Sequence, residues 1–367
     1  MQDNLKTTRA ARPMPKPPAT PKLPAKRRPP ATAPKSRQYD LFTEFFGDRR
    51  ELSNTVELWD AIPKFAVSAR RQVGLRDDKG RLPVHEYGFE YAGRACRLEL
   101  HPASIKVGDR FQDFYPSADE ELVEEVLRKI FADQTYGIHI VESLESWVRF
   151  SLHMIRTELH ARGKTRSLDE IKRSIDILAT TIVRVYVESA GDDAIYTEPI
   201  LGTLIKGRRA TSTGDDPTLW AARLPSLLSK SVNDLTYRQF NYGTLMTLSG
   251  QLARWLHKRL SHNYTNASAM QPYTVRYSTL RRDSGLIEAN TITKNVAAVE
   301  QALDELVDRR VLFRWVKEER RSVRNKLDDV MYTLHASMDF TAEVKAANGR
   351  QKDGRSGRLS ERLLFQK

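Results

Sequence analysis

Residues 167–187 read SLDEIKRSIDILATTIVRVYV, and this stretch indicates a helix followed directly by a strand. Ser167 and Glu170 have the S-x-x-E spacing of a capping box, in which each side chain pairs with a backbone N–H group at the start of a helix. After the capping box, apolar residues recur at helical spacing, at Leu168, Ile171, Ile175 and Leu178. The residues Ile182–Val187 then predict a strand.

The residues on both sides of this stretch complete a unit of helix, strand, helix, helix and hairpin. That order is the plan of a winged helix. The flanking elements that we predict are a helix begun by a capping box at Ser117 and Glu120, a strand Trp147–Phe150, a helix ending near Gly163, an acidic turn with Glu188, Asp192 and Asp193, and a strand Ile200–Lys206. A β-rich segment, Phe89–Ile105, precedes the unit, and we expect it to pair with the unit.

A second segment repeats the plan without obvious sequence identity. Its predicted elements are a helix Ser249–Leu260, a strand Tyr273–Tyr277, a short helix Thr279–Asp283 ended by Gly285, a helix with Val296, Val299, Leu303 and Leu306 on one face, a strand Val311–Val316, a charged turn Lys317–Lys326, and a strand Val330–Leu334. The sequence therefore predicts an α+β fold of two tandem winged-helix domains.

The charge of the chain is concentrated at its two ends. The net charge is +13, of which residues 1–37 carry +9 and residues 344–367 carry +5. Nine prolines and few large apolar residues lie in the first of these segments, which favours disorder. The predicted domains are a Pro-rich basic tail (1–37), a peptide and linker (38–85), a first winged helix (86–212), a second winged helix (213–343) and a basic tail (344–367).

The body between the tails is nearly neutral, so a surface for nucleic acid has to come from local segregation of charge. A single cysteine, Cys96, permits no disulfide within the chain and favours a reducing cytoplasm. No apolar run approaches the roughly 18 residues of a membrane span, and no secretory signal is evident, so we expect no membrane partner.

The third helix of each unit is the element that enters the major groove in helix-turn-helix proteins. Its polar face in the first unit carries Lys172 and Arg173, with Lys164 and Arg166 just before the helix. In the second unit the corresponding residues are Thr293, Lys294, Asn295, Ala298 and Gln301. Asn and Gln can pair with two atoms of adenine, and alanine can pack on a thymine methyl group. The alternative for each residue is an ordinary solvated helix face.

The second hairpin is predicted to be a basic wing, with Arg320, Arg321, Arg324 and Lys326 at or beside its tip. Long cationic side chains at such a tip can contact phosphates or enter a minor groove. The alternative is a solvated hairpin, which Glu318 and Glu319 favour. Because the first wing is acidic, we expect the second unit to hold DNA more strongly.

A short peptide, Gln38-Tyr39-Asp40-Leu41-Phe42, stands where the Pro-rich segment ends. Its Q-x-x-L-F pattern resembles the peptide by which bacterial replication proteins bind the sliding clamp. Gln38 offers an amide for pairing, and Leu41 and Phe42 offer adjacent apolar anchors for a concave pocket. The alternative is that Leu41 and Phe42 begin the hydrophobic core.

The sequence predicts no catalytic residue, metal ligand or cofactor. Gly163-Lys164-Thr165 has the end of a phosphate-binding loop, but the first glycine of that motif would fall at Glu158. The eight histidines are scattered and show no His-x-His pair beside a tyrosine nucleophile.

Over residues 38–335 the chain resembles the plasmid replication initiators of the tandem winged-helix, TrfA-like kind. The resemblance lies in the order and spacing of the clamp-like peptide, the helix at 119–131, the unit at 150–204, the segment Ser231–Arg238, the helix at 248–260 and the segment at 296–311. It implies a non-enzymatic protein that binds directly repeated origin sequences (iterons) in duplex DNA and opens an adjacent A+T-rich segment. It also implies recruitment of the sliding clamp, the replicative helicase and the host initiator, and a balance of monomer and dimer in which the first winged helix forms the dimer contacts and also binds DNA.

Two other functions are compatible with the same features. A winged-helix transcriptional repressor would share the fold, since fold does not settle function, but it would not need a clamp-binding peptide. A rolling-circle nickase would be an enzyme, and the missing histidine pair argues against it.

Overall fold

A computed structural model of the chain describes residues 52–55, 57–133, 135–188, 194–207, 219–234, 238–268 and 270–350. The predicted tail 1–37, the peptide Gln38–Phe42, the acidic residues Asp192 and Asp193, and residues 351–367 lie outside the described residues. Helices and strands are mixed along the chain, which confirms the predicted α+β class. Within the described residues, no helix is both long and apolar enough to span a membrane.

Residues 52–247 contain twelve strands and seven helices among the described residues. They are β1 (Leu52–Thr55), α1 (Glu57–Ala61), α2 (Ala69–Leu75), β2 (His85–Tyr91), β3 (Arg94–His101), β4 (Ala103–Val107), β5 (Arg110–Phe114), α3 (Ala118–Phe131), β6 (Gly137–Ile140), β7 (Glu145–Phe150), α4 (Leu152–Ala161), α5 (Leu168–Thr180), β8 (Ile182–Val187), β9 (Tyr196–Pro199), β10 (Leu204–Ile205), β11 (Trp220–Arg223), α6 (Ser226–Asp234), β12 (Arg238–Asn241) and α7 (Tyr242–Thr247).

Residues 251–350 contain fewer elements, most of them longer. They are α8 (Gln251–Asn263), β13 (Tyr273–Arg276), α9 (Tyr277–Ser284), α10 (Ile292–Asp308), β14 (Leu312–Arg321), β15 (Leu327–Ala336) and a final helix, α11, over residues 338–350.

The first winged-helix unit is centred on α3, α4 and α5. The capping box of α5 forms as predicted, because the Ser167 hydroxyl accepts from Glu170 N (3.2 Å) and Glu170 accepts from Ser167 N (2.8 Å). The hairpin β8–β9 follows, and the lead-in strand β3 pairs with β8 with Leu98 opposite Val185. The predicted pairing of the lead-in with the unit is therefore confirmed.

One prediction for this first hairpin is wrong. The return strand is β9, Tyr196–Pro199, whereas the predicted strand Ile200–Lys206 begins with Ile200 and Leu201 turned into the core. The predicted strand Trp147–Phe150 is present as part of β7, which lies in a separate sheet of order β10-β11-β7-β6. An apolar run shows that a segment is buried, but its pairing partner depends on distant residues.

The second unit has the predicted winged-helix order throughout. Its sheet has the order β13-β15-β14, with α8, α9 and α10 packed on it. The predicted charged turn Lys317–Lys326 is wrong in extent, because residues 317–321 continue strand β14 and pair with β15. Only residues 322–326 form the turn, so the wing is a long hairpin.

Gly285 ends α9 in the left-handed conformation that glycine favours, with φ at +65°. A β-carbon added there would lie 2.7 Å from the Ala66 β-carbon, so the turn between α9 and α10 packs tightly on the segment after α1. Tyr87 adds a hydrogen bond from its hydroxyl to Arg281 O (2.9 Å). These contacts hold the helix-turn-helix of the second unit against the first unit.

The two hydrophobic cores divide the chain near residue 247. The first includes Trp59 and Val67 from before the predicted boundary at 85, and Leu224 and Tyr242 from beyond the predicted boundary at 212. The second runs from Leu248 to Val344, so α11 extends the second unit past the predicted start of the basic tail at 344. Short amphipathic segments that flank a domain are hard to assign from sequence, because their buried faces contain few residues.

Between the two cores lies a buried polar layer formed by α1, α3 and α8. Arg254 on α8 donates to Glu121 on α3 at 2.8 and 3.1 Å. Arg128 donates to Asp60 at 2.7 Å, and Lys258 donates to Glu125. Four carboxylates in this layer face four cations at close range: Asp60, Glu121, Glu124 and Glu125 against Lys64, Arg128, Arg254 and Lys258.

The balance of charge in the polar layer favours the ionised forms of Asp60 and Lys258. Burial alone would raise the pKa of Asp60, but the charges of Arg128 and Lys258 and hydrogen bonds from His262 and Arg128 hold it well below its usual value. Burial lowers the pKa of Lys258, and this effect is outweighed by Glu125, Asp60 and Glu121, which raise the pKa overall. The first and second units are thus joined through ion pairs as well as apolar packing.

Candidate nucleic-acid interface

The third helix of the second unit, α10, has one apolar face and one open face. Thr291 caps its start by accepting from Lys294 N at 3.4 Å. Val299, Leu303 and Leu306 are fully buried against the sheet. The predicted contact residues Thr293, Lys294, Ala298 and Gln301 are all exposed. This face presents a hydroxyl, an ammonium, a methyl and an amide group, which are suited to the major-groove edges of bases.

Asn295 does not belong to this face, and the prediction that it is exposed is wrong. It is only 3% exposed. Its Oδ1 accepts from Ala289 N (2.7 Å), and its Nδ2 donates to Tyr277 Oη and Ala289 O (both 3.0 Å). Asn295 therefore fastens the turn between α9 and α10. Its spacing of four and seven residues from the buried Val299 and Ala302 was a signal that it lies on the apolar face.

Asn295→Ala is expected to reduce stability rather than base discrimination. The change removes three hydrogen bonds and leaves the buried Tyr277 hydroxyl without this donor, so the free energy of unfolding should fall by about 1–3 kcal/mol. The matched control is Gln301→Ala on the exposed face of the same helix, which should leave stability unchanged. If Gln301 pairs with a base, that change should instead weaken binding to the preferred sequence by about 1–3 kcal/mol and leave random DNA unaffected. Chemical denaturation and binding titrations on both variants would check this. An unchanged stability of Asn295→Ala would contradict the assigned role.

The wing β14–β15 is fixed in direction relative to α10. Lys317 on β14 donates to Glu300 on α10 at 2.7 Å, and Trp315 Nε1 donates to Asp304 at 2.9 Å. The hydrogen bond to Glu300 raises the pKa of Lys317, so this side chain stays charged. Two different positions of the strand are thereby joined to two turns of the helix, so the wing and α10 form one surface.

Cations crowd the outer end of the wing, where all four predicted residues are exposed. Arg320 lies 3.6 Å from Asp328 in a loose ion pair, and Arg321 donates to Glu319 at 2.6 Å. Arg324 and Lys326, at the tip, have no ion-pair partner within the part of the chain that the structure describes. The acidic residues Glu318 and Glu319 therefore do not neutralise the tip, where Arg324 and Lys326 are unpaired among the described residues and the exposed Arg320 and Arg321 are held only in surface ion pairs.

Arg276 is a further exposed cation beside the wing that sequence reasoning missed. It precedes α9 and lines a recess of about 180 Å³ together with Glu319, Arg320 and Asp329. Ser278, two residues on, donates from its hydroxyl to Asp329 at 2.7 Å and so joins α9 to β15. A basic residue at a strand–helix junction carries no sequence signal of its own, because only the fold brings it to the wing.

The first unit offers a smaller basic face than predicted. Lys172 and Arg173 on α5 are exposed and have no ion-pair partner among the described residues. Lys164 is half-buried and donates to Leu248 O at 3.1 Å, and burial lowers its pKa. Arg166 is paired with Asp119. Two of the four predicted cations thus make contacts within the protein, and Lys164 connects the first unit to the segment before α8.

The first hairpin is described up to Glu188 and again from residue 194, and the acidic residues Asp192 and Asp193 lie outside the described residues. Glu188, at the end of β8, is exposed. That the second unit holds DNA more strongly than this acidic first wing stays a prediction.

Solved structures similar to this one include two crystal structures of domains 2 and 3 of RctB and the Pi initiator protein in complex with iteron DNA. The RctB structures have 14% sequence identity and TM-scores of 0.44 and 0.43, and the matches cover 75% and 74% of this chain and 99% and 97% of those chains. The Pi protein has 9% identity and a TM-score of 0.33, with 80% of this chain and 100% of that chain covered. No protein-family model matches this chain, and no curated protein matches it. At these identities no residue role is transferred.

Proposed function

We propose that this protein is a plasmid replication initiator that binds repeated sequences of duplex DNA in its origin. The main support for this proposal is the surface that α10 and the second wing form together. An exposed polar helix face suits a major groove, and the cations of a wing attached to that helix suit the adjacent phosphates. Lys317–Glu300 and Trp315–Asp304 hold the two parts in a fixed relation before DNA is bound.

The first unit supplies a second, weaker contact through Lys172 and Arg173. In tandem helix-turn-helix proteins, two recognition elements on one face read major-groove segments about one helical turn, roughly 34 Å, apart. Because α5 exposes two of the predicted cations and the second wing exposes four, we expect the first unit to contribute less of the phosphate binding. The resemblance to plasmid initiators implies that the first unit also forms the dimer contacts, in a balance of monomer and dimer.

Footprinting on the DNA that flanks the coding sequence tests the proposed binding. The expected result is a set of regular repeats, each protected by one monomer at two major-groove segments. Protection of a single major-groove segment per monomer would contradict a contribution from the first unit. Absence of any protected repeat would contradict the initiator function.

Initiation, rather than repression, is favoured by the peptide Gln38–Phe42, which lies outside the described residues. As an initiator, the protein would recruit the sliding clamp through this peptide, together with the replicative helicase and the host initiator, in the bacterial cytoplasm. A repressor would need the DNA-binding surface alone.

The double change Leu41→Ala and Phe42→Ala is expected to abolish clamp binding while leaving duplex binding intact. Two apolar anchors supply most of the affinity of so short a ligand. If these residues belong to a hydrophobic core instead, the same change would leave a cavity and cost several kcal/mol of stability. A clamp pull-down and a thermal melt on this variant distinguish the two roles. A lowered melting temperature with clamp binding retained would contradict the proposed role of Leu41 and Phe42 as clamp anchors.

Replication of a plasmid that carries the flanking repeats separates the three functions. An initiator with the Leu41→Ala and Phe42→Ala changes would bind the repeats but support less replication, whereas a repressor would regulate transcription normally. A rolling-circle nickase would cut one strand of supercoiled plasmid in the presence of Mg²⁺. We expect no such nicking.

A further inference from the structure

The tip of the second wing carries an apolar side chain among its cations. Val323 is completely exposed, at 107% of the reference area. Single exposed apolar residues are common and need no explanation. This one differs because Arg320, Arg321, Arg324 and Lys326 all lie within three residues of it, on the surface proposed to meet DNA.

The backbone holds Val323 in a closed turn at the end of the wing. Ser322 N donates to Lys326 O at 2.8 Å, and Asn325 N donates to Ser322 O at 2.8 Å. Asn325 has a left-handed φ of +56°, which is the arrangement of a three-residue hairpin loop. Arg321 Nη1 also donates to Asn325 O at 3.1 Å. Val323 is thus the first residue of a three-residue loop closed by hydrogen bonds, and its branched side chain has few rotamers to lose.

The wing reaches far enough to bring this residue into a groove. Val330 is the fully buried residue of β15 nearest to the wing tip, and it pairs with Glu319 on β14. From Glu319 to the end of the strand at Arg321 the hairpin extends about 7 Å at roughly 3.3 Å per residue, and the loop with Val323 lies beyond that point. The minor groove of B-form DNA is about 7.5 Å deep and about 6 Å wide. A two-stranded hairpin is too wide for that groove, but the side chain at its apex is not.

We propose that Val323 is a wedge that inserts from the minor groove between two stacked base pairs and partly unstacks them. The cations beside it would hold the phosphates on either side, as in other proteins that kink DNA with an apolar side chain. The inserted side chain leaves water, which favours insertion. Such a wedge rests on the proposed function, because it requires the wing to lie on duplex DNA.

The ligand that suits this wedge is A+T-rich duplex with pyrimidine–purine steps. TA steps are the most easily kinked and unstacked, so distortion there is least costly. The wing reads no base edge in this arrangement, and it selects DNA by how readily it deforms. Unstacking by the wing would also weaken the duplex locally, which is the first requirement for opening an origin.

The test compares the intact protein with Val323→Thr, which keeps the branched shape but replaces a methyl group by a hydroxyl. The probe is a short A+T-rich duplex whose TA steps contain 2-aminopurine, with a dye at each end. Unstacking raises the 2-aminopurine fluorescence, and bending raises energy transfer between the dyes. The matched control is Val73→Thr, at another exposed valine on α2.

The wild-type protein and Val73→Thr should raise both signals. Val323→Thr should lose most of both and bind roughly tenfold less tightly, because one buried apolar contact is replaced by a polar one. The slope of affinity against salt should stay the same, since no phosphate contact is removed.

Equal signals and equal affinity for Val323→Thr and wild type would overturn the wedge while leaving the initiator function intact. Loss of both signals in Val323→Thr, together with the absence of any preferred repeat in footprinting, would support the wedge and contradict the initiator function. A wild-type protein that bound no duplex at all would overturn both.

Discussion

Replacing Arg254 by methionine is expected to lower the free energy of unfolding by about 3–5 kcal/mol, the usual cost of breaking a buried ion pair. Arg254 is 2% exposed, and it donates to Glu121 across the boundary of the two units as well as to Leu248 O and Ser249 O. Methionine fills much of the same volume but leaves the Glu121 carboxylate buried without its partner. Denaturant unfolding followed by circular dichroism measures the effect.

Two further variants show that the loss comes from an unpaired charge. Arg166→Met removes a partly exposed ion pair with Asp119 and should cost at most about 1 kcal/mol. The double change Arg254→Met and Glu121→Leu removes both charges, and it should recover much of the stability, since apolar replacements of buried pairs are often neutral. A double variant as unstable as Arg254→Met would show that packing, not charge, is responsible.

The second large effect is expected from replacing Arg320, Arg321 and Arg324 together by alanine. Each phosphate contact contributes about 0.9 to the slope of log affinity against log salt, so the slope should become shallower by about 2.7. At about 0.15 M salt this corresponds to roughly a hundredfold weaker binding. Because phosphate contacts carry no sequence information, the loss should be similar on repeat and random DNA. Titrations at several salt concentrations measure both quantities.

The matched control removes three exposed arginines elsewhere in the first unit, Arg70, Arg94 and Arg110. It changes the net charge by the same amount and should leave the salt slope nearly unchanged. If both triple variants lose affinity equally, binding depends on overall charge and the wing has no special role. A loss on repeat DNA alone would assign base reading, not phosphate contact, to the wing.

Local sequence signals correctly predicted many of the elements. The capping box at Ser167 and Glu170 forms where its spacing indicates, and Gly285 ends its helix in a left-handed conformation. These features depend on residues within one helical turn, so the information is complete in the local sequence. The same holds for the exposed cations of the second wing, because a hairpin tip has little around it to bury them.

Predictions failed where a residue's role depends on a distant partner. Asn295 was expected to read bases, but it has three hydrogen bonds to Tyr277 and Ala289. Lys164 was expected to face DNA, but it donates to Leu248, 84 positions along the chain. A polar side chain has the same local pattern whether its partner is a base, water or a remote backbone group.

By itself, the sequence determined the order of helices and strands in the second unit, the two-unit plan and the placement of basic residues on the second wing. Periodicity, capping and turn chemistry act over a few residues, so they can be read directly from the chain. Only the tertiary structure decided that β7 pairs with β6 and β11 in a separate sheet, that α11 joins the second core and that ion pairs join α3 to α8. Glu121 and Arg254 are 133 positions apart. They look like ordinary surface charges until the packing of two helices removes water from both and makes each the necessary partner of the other.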